Sequence, residues 1–129
     1  MSYVADLHLH SRYAYATSKD LSLENLATWA KLKGIDLLAS ADFTHPVWFA
    51  ELRQKLEEVT PGLYRFGGVD FILGTEVSCV YNEGGRQRRI HLLLFAPTLM
   101  PWGALTWPWP VSATWCWTDD LPSPFQYAI

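Results

Sequence analysis

The chain is short of sulfur, of positive charge and of long apolar runs, and each shortage excludes something. Its two cysteines, Cys79 and Cys116, stand far apart and outside any C-x-x-C spacing. They offer neither a disulfide framework nor a thiolate zinc site, and they fit a reducing cytoplasm. The 13 acidic residues outnumber the 10 basic ones, for a formal charge of -3. That balance leaves no general electrostatic footprint for nucleic acid, so any contact with DNA has to be local. No stretch reaches the roughly 20 apolar residues of a membrane span, and "MSYVADLHLH" lacks the basic start and apolar core of a signal peptide. A soluble, cytoplasmic protein without a membrane partner is expected. Its 129 residues suit a single domain with a modest core.

What is present reads as alternating α/β up to about Leu99. "YVADLHL" has the composition of a strand. Ser22 is placed to cap a helix through Lys33, with Leu23, Leu26, Ala27 and Ala30 on one face and Gly34 as the stop. "IDLLASA" returns as a buried strand, and "PVWFAELRQKLEEV" as a helix that opens on Pro46 and ends before Pro61-Gly62. "VDFILGTEVSCVY" and "RRIHLLLFA" are two further strands joined by the turn sequence "NEGG". Strand and helix in alternation predict parallel pairing with helices outside. From Met100 onward the character changes. The last 30 residues hold five of the seven tryptophans and five of the eight prolines, with no lysine or arginine and no periodicity. Proline at that density removes backbone donors, so an irregular tail is expected.

The four histidines all lie in or just beyond predicted strands. Residues two apart in a strand share a face, so Asp6, His8 and His10 project together. Two imidazoles so placed can hold one divalent ion, with Asp6 orienting a ring from behind. A pair of merely hydrogen-bonded histidines fits the spacing equally well. "SADFTHP" sets Asp42 and His45 after the second strand, "GTEVS" sets Glu76 inside the third, and "RIHLLL" sets His91 in the fourth. A glutamate in the apolar surroundings of "FILGTEVSCV" is costly to bury unless it is paired or bound to metal. Pairing with an arginine of the following hairpin is the alternative. Taken jointly, the residues favour a multinuclear metal site.

The segment "ADLHLHSRYAYATSKDLSLENLATWAKLKGIDLLASADFTHPVW", followed by "FILGTEVS" and "RRIHLLLFAPTL", closely resembles the PHP (polymerase and histidinol phosphatase) superfamily. Within it the chain looks most like the endonuclease Q-like branch. The resemblance implies the N-terminal part of a distorted (β/α)7 TIM-like barrel, and a centre of up to three divalent ions, zinc, manganese or magnesium, with fewer here. It implies that His8 and His10 bind one ion, that Glu76 bridges two, and that His91 binds the second. Asp42 and His45 match the motif after the second strand, where the usual aspartate-histidine pair reads "DFTH". Glu76 and Asp42 are then the candidate catalytic carboxylates, with His45 a further candidate ligand. The implied chemistry is metal-dependent phosphoester hydrolysis. For the endonuclease Q-like branch it is the nicking of DNA on the 5′ side of a deaminated base, as in DNA repair. Arg86, Arg88 and Arg89 are the candidates for contact with a phosphate backbone, although a solvated hairpin edge explains them as well.

The same pattern calls for another histidine and an Asp-x-His after His91, and no histidine follows it. A β/α barrel also takes about 200 residues or more. The expectation is therefore a truncated PHP domain over residues 1–99 and a non-homologous tail over residues 100–129. Tryptophan has one codon, and reading one base earlier turns each such codon into one for Leu, Met or Val. A shifted frame through the tail resembles the missing continuation, which suggests a frameshift. Such a fragment is expected to be weakly active or inactive, and to self-associate through exposed barrel edges. Two other readings stand beside it. An amidohydrolase-type hydrolase also begins with His-x-His, but bridges its metals with a carboxylated lysine where this chain has Glu76. A non-catalytic fragment or binding module would use the tryptophan-rich tail as its contact surface.

Overall fold

A computed structural model describes residues 3–99 and the backbone of Cys116–Trp117. Three strands run parallel at its centre. β1 (Ala5–Asp6) pairs with β2 (Leu37–Ala39), and β2 pairs with the start of β5 (Val69–Glu83). Helix α1 (Leu23–Lys33) carries the chain from β1 to β2. Its ends are those the sequence predicts: Ser22 accepts from the Asn25 amide, and Gly34 turns left-handed at φ 70°. Glycine takes that conformation without the steric cost of a Cβ. The predicted face, Leu23, Leu26, Ala27 and Ala30, is the buried one.

Helix α2 (Pro46–Lys55) starts at the expected proline but stops four residues short of the expected end. Leu56 leaves the helix in an extended conformation (φ -78°, ψ 131°) and buries its side chain in the core. Residues Glu57–Thr60 then form β3, paired antiparallel with β4 (Leu63–Phe66) around Pro61-Gly62. Gly62 sits at φ 84°, where a proline-glycine turn needs it. The hairpin continues the sheet, because β4 pairs antiparallel with β5 and gives the order β1-β2-β5-β4-β3.

β5 is the spine of the molecule. Its first residues lie in the parallel sheet. From Leu73 to Glu83 it pairs with β6 (Arg86–Ala96), through the expected turn at Gly84-Gly85. Gly74 stands where the two pairings meet, and a Cβ there would come within 3.0 Å of the Ala39 side chain and 3.3 Å of the Phe95 ring. A larger residue at this seam would push the Ala39 and Phe95 side chains back by a few tenths of an ångström. The core below it gathers Leu23, Leu26, Leu38, Trp48, Leu52, Tyr64, Phe71 and Leu73. Ile90, Leu92, Leu94 and Phe95 of β6 are exposed.

The fold is thus mixed α/β with a mostly β core. Among the described residues the sheet path ends at β1 and β3, without closure into a barrel. The expected irregular tail lies outside the described residues except for β7 (Cys116–Trp117), which pairs antiparallel with Ser78 and Cys79 of β5. Cys79 is disulfide-bonded, contrary to the expectation of unpaired thiols. The wide sequence separation of the cysteines hides what strand pairing brings near. Among the described residues no helix is long and apolar enough to cross a membrane.

Candidate metal centre

Parallel strands that begin at one end of a sheet also finish together, and loops beyond their C-terminal ends converge there. β1, β2 and β5 deliver His8 and His10, the turn of residues 40–45, and Glu76 respectively. β1 itself is shorter than predicted, so the histidines are not strand residues: regular pairing ends at Asp6. Asp6 accepts from the His8 amide at 3.2 Å, fixing the backbone beneath the ring rather than the ring. The two imidazoles meet edge to face with centroids 5.5 Å apart.

Glu76 is the centre of the cluster. Its side chain is 8% exposed, and the groups that meet its carboxylate are imidazoles. Oε2 contacts His8 Nε2 and stands 3.4 Å from His10 Nε2. Oε1 contacts His91 Nδ1. Register explains the last contact: His91 lies opposite Ser78, so it is the diagonal neighbour of Glu76 on the same face of the hairpin. No arginine of that hairpin reaches Glu76; Arg88 stands 3.6 Å from Glu83 instead. Arg86, Arg88 and Arg89 lie exposed along β6.

Donor atoms of His8, His10 and Glu76 all lie within 4.8 Å of one another. That spacing lets one ion reach all three. Two imidazoles and a carboxylate form a donor set suited to zinc and its neighbours, and three protein ligands leave a coordination position for substrate. His91 meets the other oxygen of Glu76 and extends the cluster on that side.

The other two candidates come from the turn between β2 and α2, and they sit differently. His45 caps α2, its Nδ1 accepting from the Trp48 amide at 3.4 Å, and stacks on Tyr13 with centroids 4.5 Å apart. Burial holds its pKa below the ordinary value, against the pull of the Asp42 carboxylate. Asp42 is 1% exposed, with Oδ2 accepting from the Ser11 amide at 2.5 Å and Oδ1 lying 3.3 Å from His10 Nδ1. It reaches this place through two successive left-handed residues, Ala41 at φ 55° and Asp42 at φ 40°. Such conformations cost roughly 1–2 kcal/mol each for residues with a Cβ. The turn is held by the buried Trp48, whose indole N–H donates to the Ser40 and Ala41 carbonyls at 2.9 Å each. Sequence reasoning found Asp42 but missed Ser11 and Trp48, because neither residue type signals its hydrogen bond in advance.

A shallow depression of about 450 Å³, lined by Lys31, Asp36, Arg65 and Asp70 among others, lies at the opposite, N-terminal end of the strands and is separate from this chemistry.

No family model matches the chain. Over 94 residues it is 32% identical to an uncharacterized protein of Methanocaldococcus jannaschii, a match that covers 73% of this chain and 10% of that protein. Among solved structures it is similar to the lesion-specific endonuclease PfuEndoQ of Pyrococcus furiosus, at 39% identity and a TM-score of 0.54. The same identity and score relate it to endonuclease Q in complex with a 27-mer duplex substrate with an abasic lesion at the active site. Each structural match covers 56% of this chain and 18% of the other. The chain therefore spans only 10% to 18% of the length of the proteins it matches. These likenesses support an endonuclease Q-like relationship.

Proposed function

We propose that this chain is part of a PHP-type, endonuclease Q-like phosphoesterase that acts on DNA at damaged or deaminated bases, and that its chemistry depends on divalent metal. The observation that carries the reading is the convergence of three imidazoles on one buried carboxylate, on a chain similar to a lesion-specific endonuclease. His8, His10 and Glu76 would hold one ion, and Glu76 with His91 a second. An ion there supplies Lewis-acid polarisation of a phosphoryl oxygen. The chain's own residues do the positioning: Glu76 sets the distance between the two ligand groups, and Asp6 and Asp42 fix the backbone and ring of the histidine segment. Arg89, exposed on β6 and two residues from His91 on the same face of the hairpin, suits a phosphate backbone passing over the site, whereas Arg86 and Arg88 alternate to the opposite face.

In this reading residues 1–99 carry the first part of a barrel, and the residues from about Met100 belong to a shifted reading frame. The donors named here complete one ion's coordination more nearly than two, so the chain alone is expected to bind one ion and to cleave feebly. The exposed Ile90, Leu92, Leu94 and Phe95 support self-association along β6.

The test is equilibrium dialysis against zinc or manganese, followed by incision of hypoxanthine-, uracil- and abasic-site duplexes. The chain and a frame-restored version are compared, each with its oligomeric state set by sedimentation. One retained ion per chain, and chelator-sensitive nicking beside the lesion that rises in the frame-restored protein, are expected. A folded protein that retains no metal, or a restored protein that cuts undamaged duplex equally well, would overturn the proposal.

A further inference from the structure

We propose that Asp42 is a positioning residue whose carboxylate locks His10 as the Nδ1–H tautomer and so presents the unprotonated Nε2 toward Glu76. The inference deepens the metal reading above and rests on it for its consequence, but its geometry stands apart from any ion.

The two oxygens of Asp42 have separate duties. Oδ2 accepts from the Ser11 backbone amide, and Oδ1 faces Nδ1 of the preceding residue's ring. A carboxylate oxygen only accepts, and of the two ring nitrogens it is Nδ1 that stands in hydrogen-bonding geometry with one, Nε2 lying 3.4 Å from Glu76 without that alignment, so Nδ1 is the nitrogen that donates. With its hydrogen at Nδ1, His10 has its other nitrogen free as a donor atom to metal, and that nitrogen is the one 3.4 Å from Glu76. Metal-binding histidines commonly gain their tautomer from such a carboxylate partner.

The carboxylate has little freedom to turn away. The Ser11 contact pins one oxygen, and Ser11 itself is fully buried, with its carbonyl accepting from Thr17 Oγ1 at 2.8 Å. On the other side, the Asp42 carbonyl accepts from the His45 amide at 2.9 Å, and the Ser40 amide donates to the Ile72 carbonyl of β5 at 2.7 Å. Together with the Trp48 indole, these bonds keep two left-handed residues in a conformation they would otherwise leave. Two strained residues held this firmly beside the His10 ring are what a device for aiming that ring requires.

Replacing Asp42 by asparagine separates aiming from mere packing, because the amide is nearly the same shape but has one acceptor and one donor end. The Ser11 amide needs an acceptor, so the amide oxygen takes that side and the NH2 group turns to His10. Nδ1 must then accept, the hydrogen moves to Nε2, and the metal-facing nitrogen is blocked.

The experiment reads the His10 ring by two-bond 1H–15N correlation in the 15N-labelled, metal-free full chain, at a pH above the histidine titration. Wild type is expected to show Nδ1–H. Asp42→Asn is expected to show Nε2–H with an otherwise conserved amide spectrum, and zinc affinity reduced about 10- to 100-fold. A wild-type ring protonated at Nε2 overturns the proposal, and needs no variant to do so. A folded Asp42→Asn that keeps Nδ1–H and full zinc affinity overturns it as well. Wild type showing Nδ1–H but no zinc binding would uphold the tautomer lock while removing the metal reading, so the two fail separately.

Discussion

Glu76→Gln will abolish tight divalent-metal binding while leaving the fold in place. Glutamine keeps the shape of the side chain but offers one neutral oxygen and an NH2 group that cannot ligate. In this site both oxygens of Glu76 are committed, one toward His8 and His10 and the other toward His91. The expected loss exceeds roughly 100-fold, the upper end of what removal of an outer partner alone costs. Melting makes the effect visible. At a metal concentration 100-fold above the wild-type Kd, a bound ion stabilises the protein by about 2.7 kcal/mol, and after a 100-fold loss by only about 0.4 kcal/mol. A metal-dependent rise in Tm of several degrees in wild type should therefore nearly vanish. Competition with a chromophoric chelator gives the Kd directly, and a variant that binds as tightly as wild type would remove Glu76 from the ligand set.

The second large effect is expected far from the ligands. Trp48 is fully buried, and its indole holds two carbonyls of the turn that carries Asp42. Trp48→Ala should cost about 3–5 kcal/mol through the lost burial and the cavity left behind. Loss of the shared donor to Ser40 and Ala41 adds about 1 kcal/mol. Against a typical total of roughly 5–15 kcal/mol, that brings the native state close to unfolding. Trp48→Phe keeps much of the volume and removes only the N–H, so it should lose less stability but still loosen the turn. Urea unfolding measures both, with an unchanged m-value as the control that the two states are the same. A cost for the alanine variant within the roughly 0.5 kcal/mol of a surface change would show that the turn is held by something else.

How much of this was legible beforehand depends on whether the signal was local. Helix α1 was readable from end to end, because Ser22 and Gly34 act within one turn of the chain and the apolar spacing needs no partner. The β5–β6 hairpin was readable from "NEGG" for the same reason. The β3–β4 hairpin was missed although Pro61-Gly62 announced its turn: helix-like spacing continued through Leu56, and only packing of that side chain into the core decides that the helix ends. His8, His10 and Glu76 stood out because imidazoles and a carboxylate are expensive among apolar neighbours. The parts assigned to Asp42 and His45 were not separable in the sequence. A left-handed turn sends one toward His10 and makes the other a helix cap, and no residue type in "SADFTH" encodes that choice by itself.

The placement of Glu76 on β5 also sets a timetable for making the site. Its contact with His91 spans 15 residues and lies within a single hairpin, whereas its contact with His8 spans 68. Hairpins close within about 1–10 μs, while long-range pairings must first bear the larger entropy of loop closure. The half of the centre made by Glu76 and His91 can thus exist as soon as β5 meets β6. The half made with His8 and His10 waits until β1 has docked beside β2. Metal present during folding would meet the Glu76–His91 pair first and the His8–His10–Glu76 set last, so that capture by the latter would report the docking of β1.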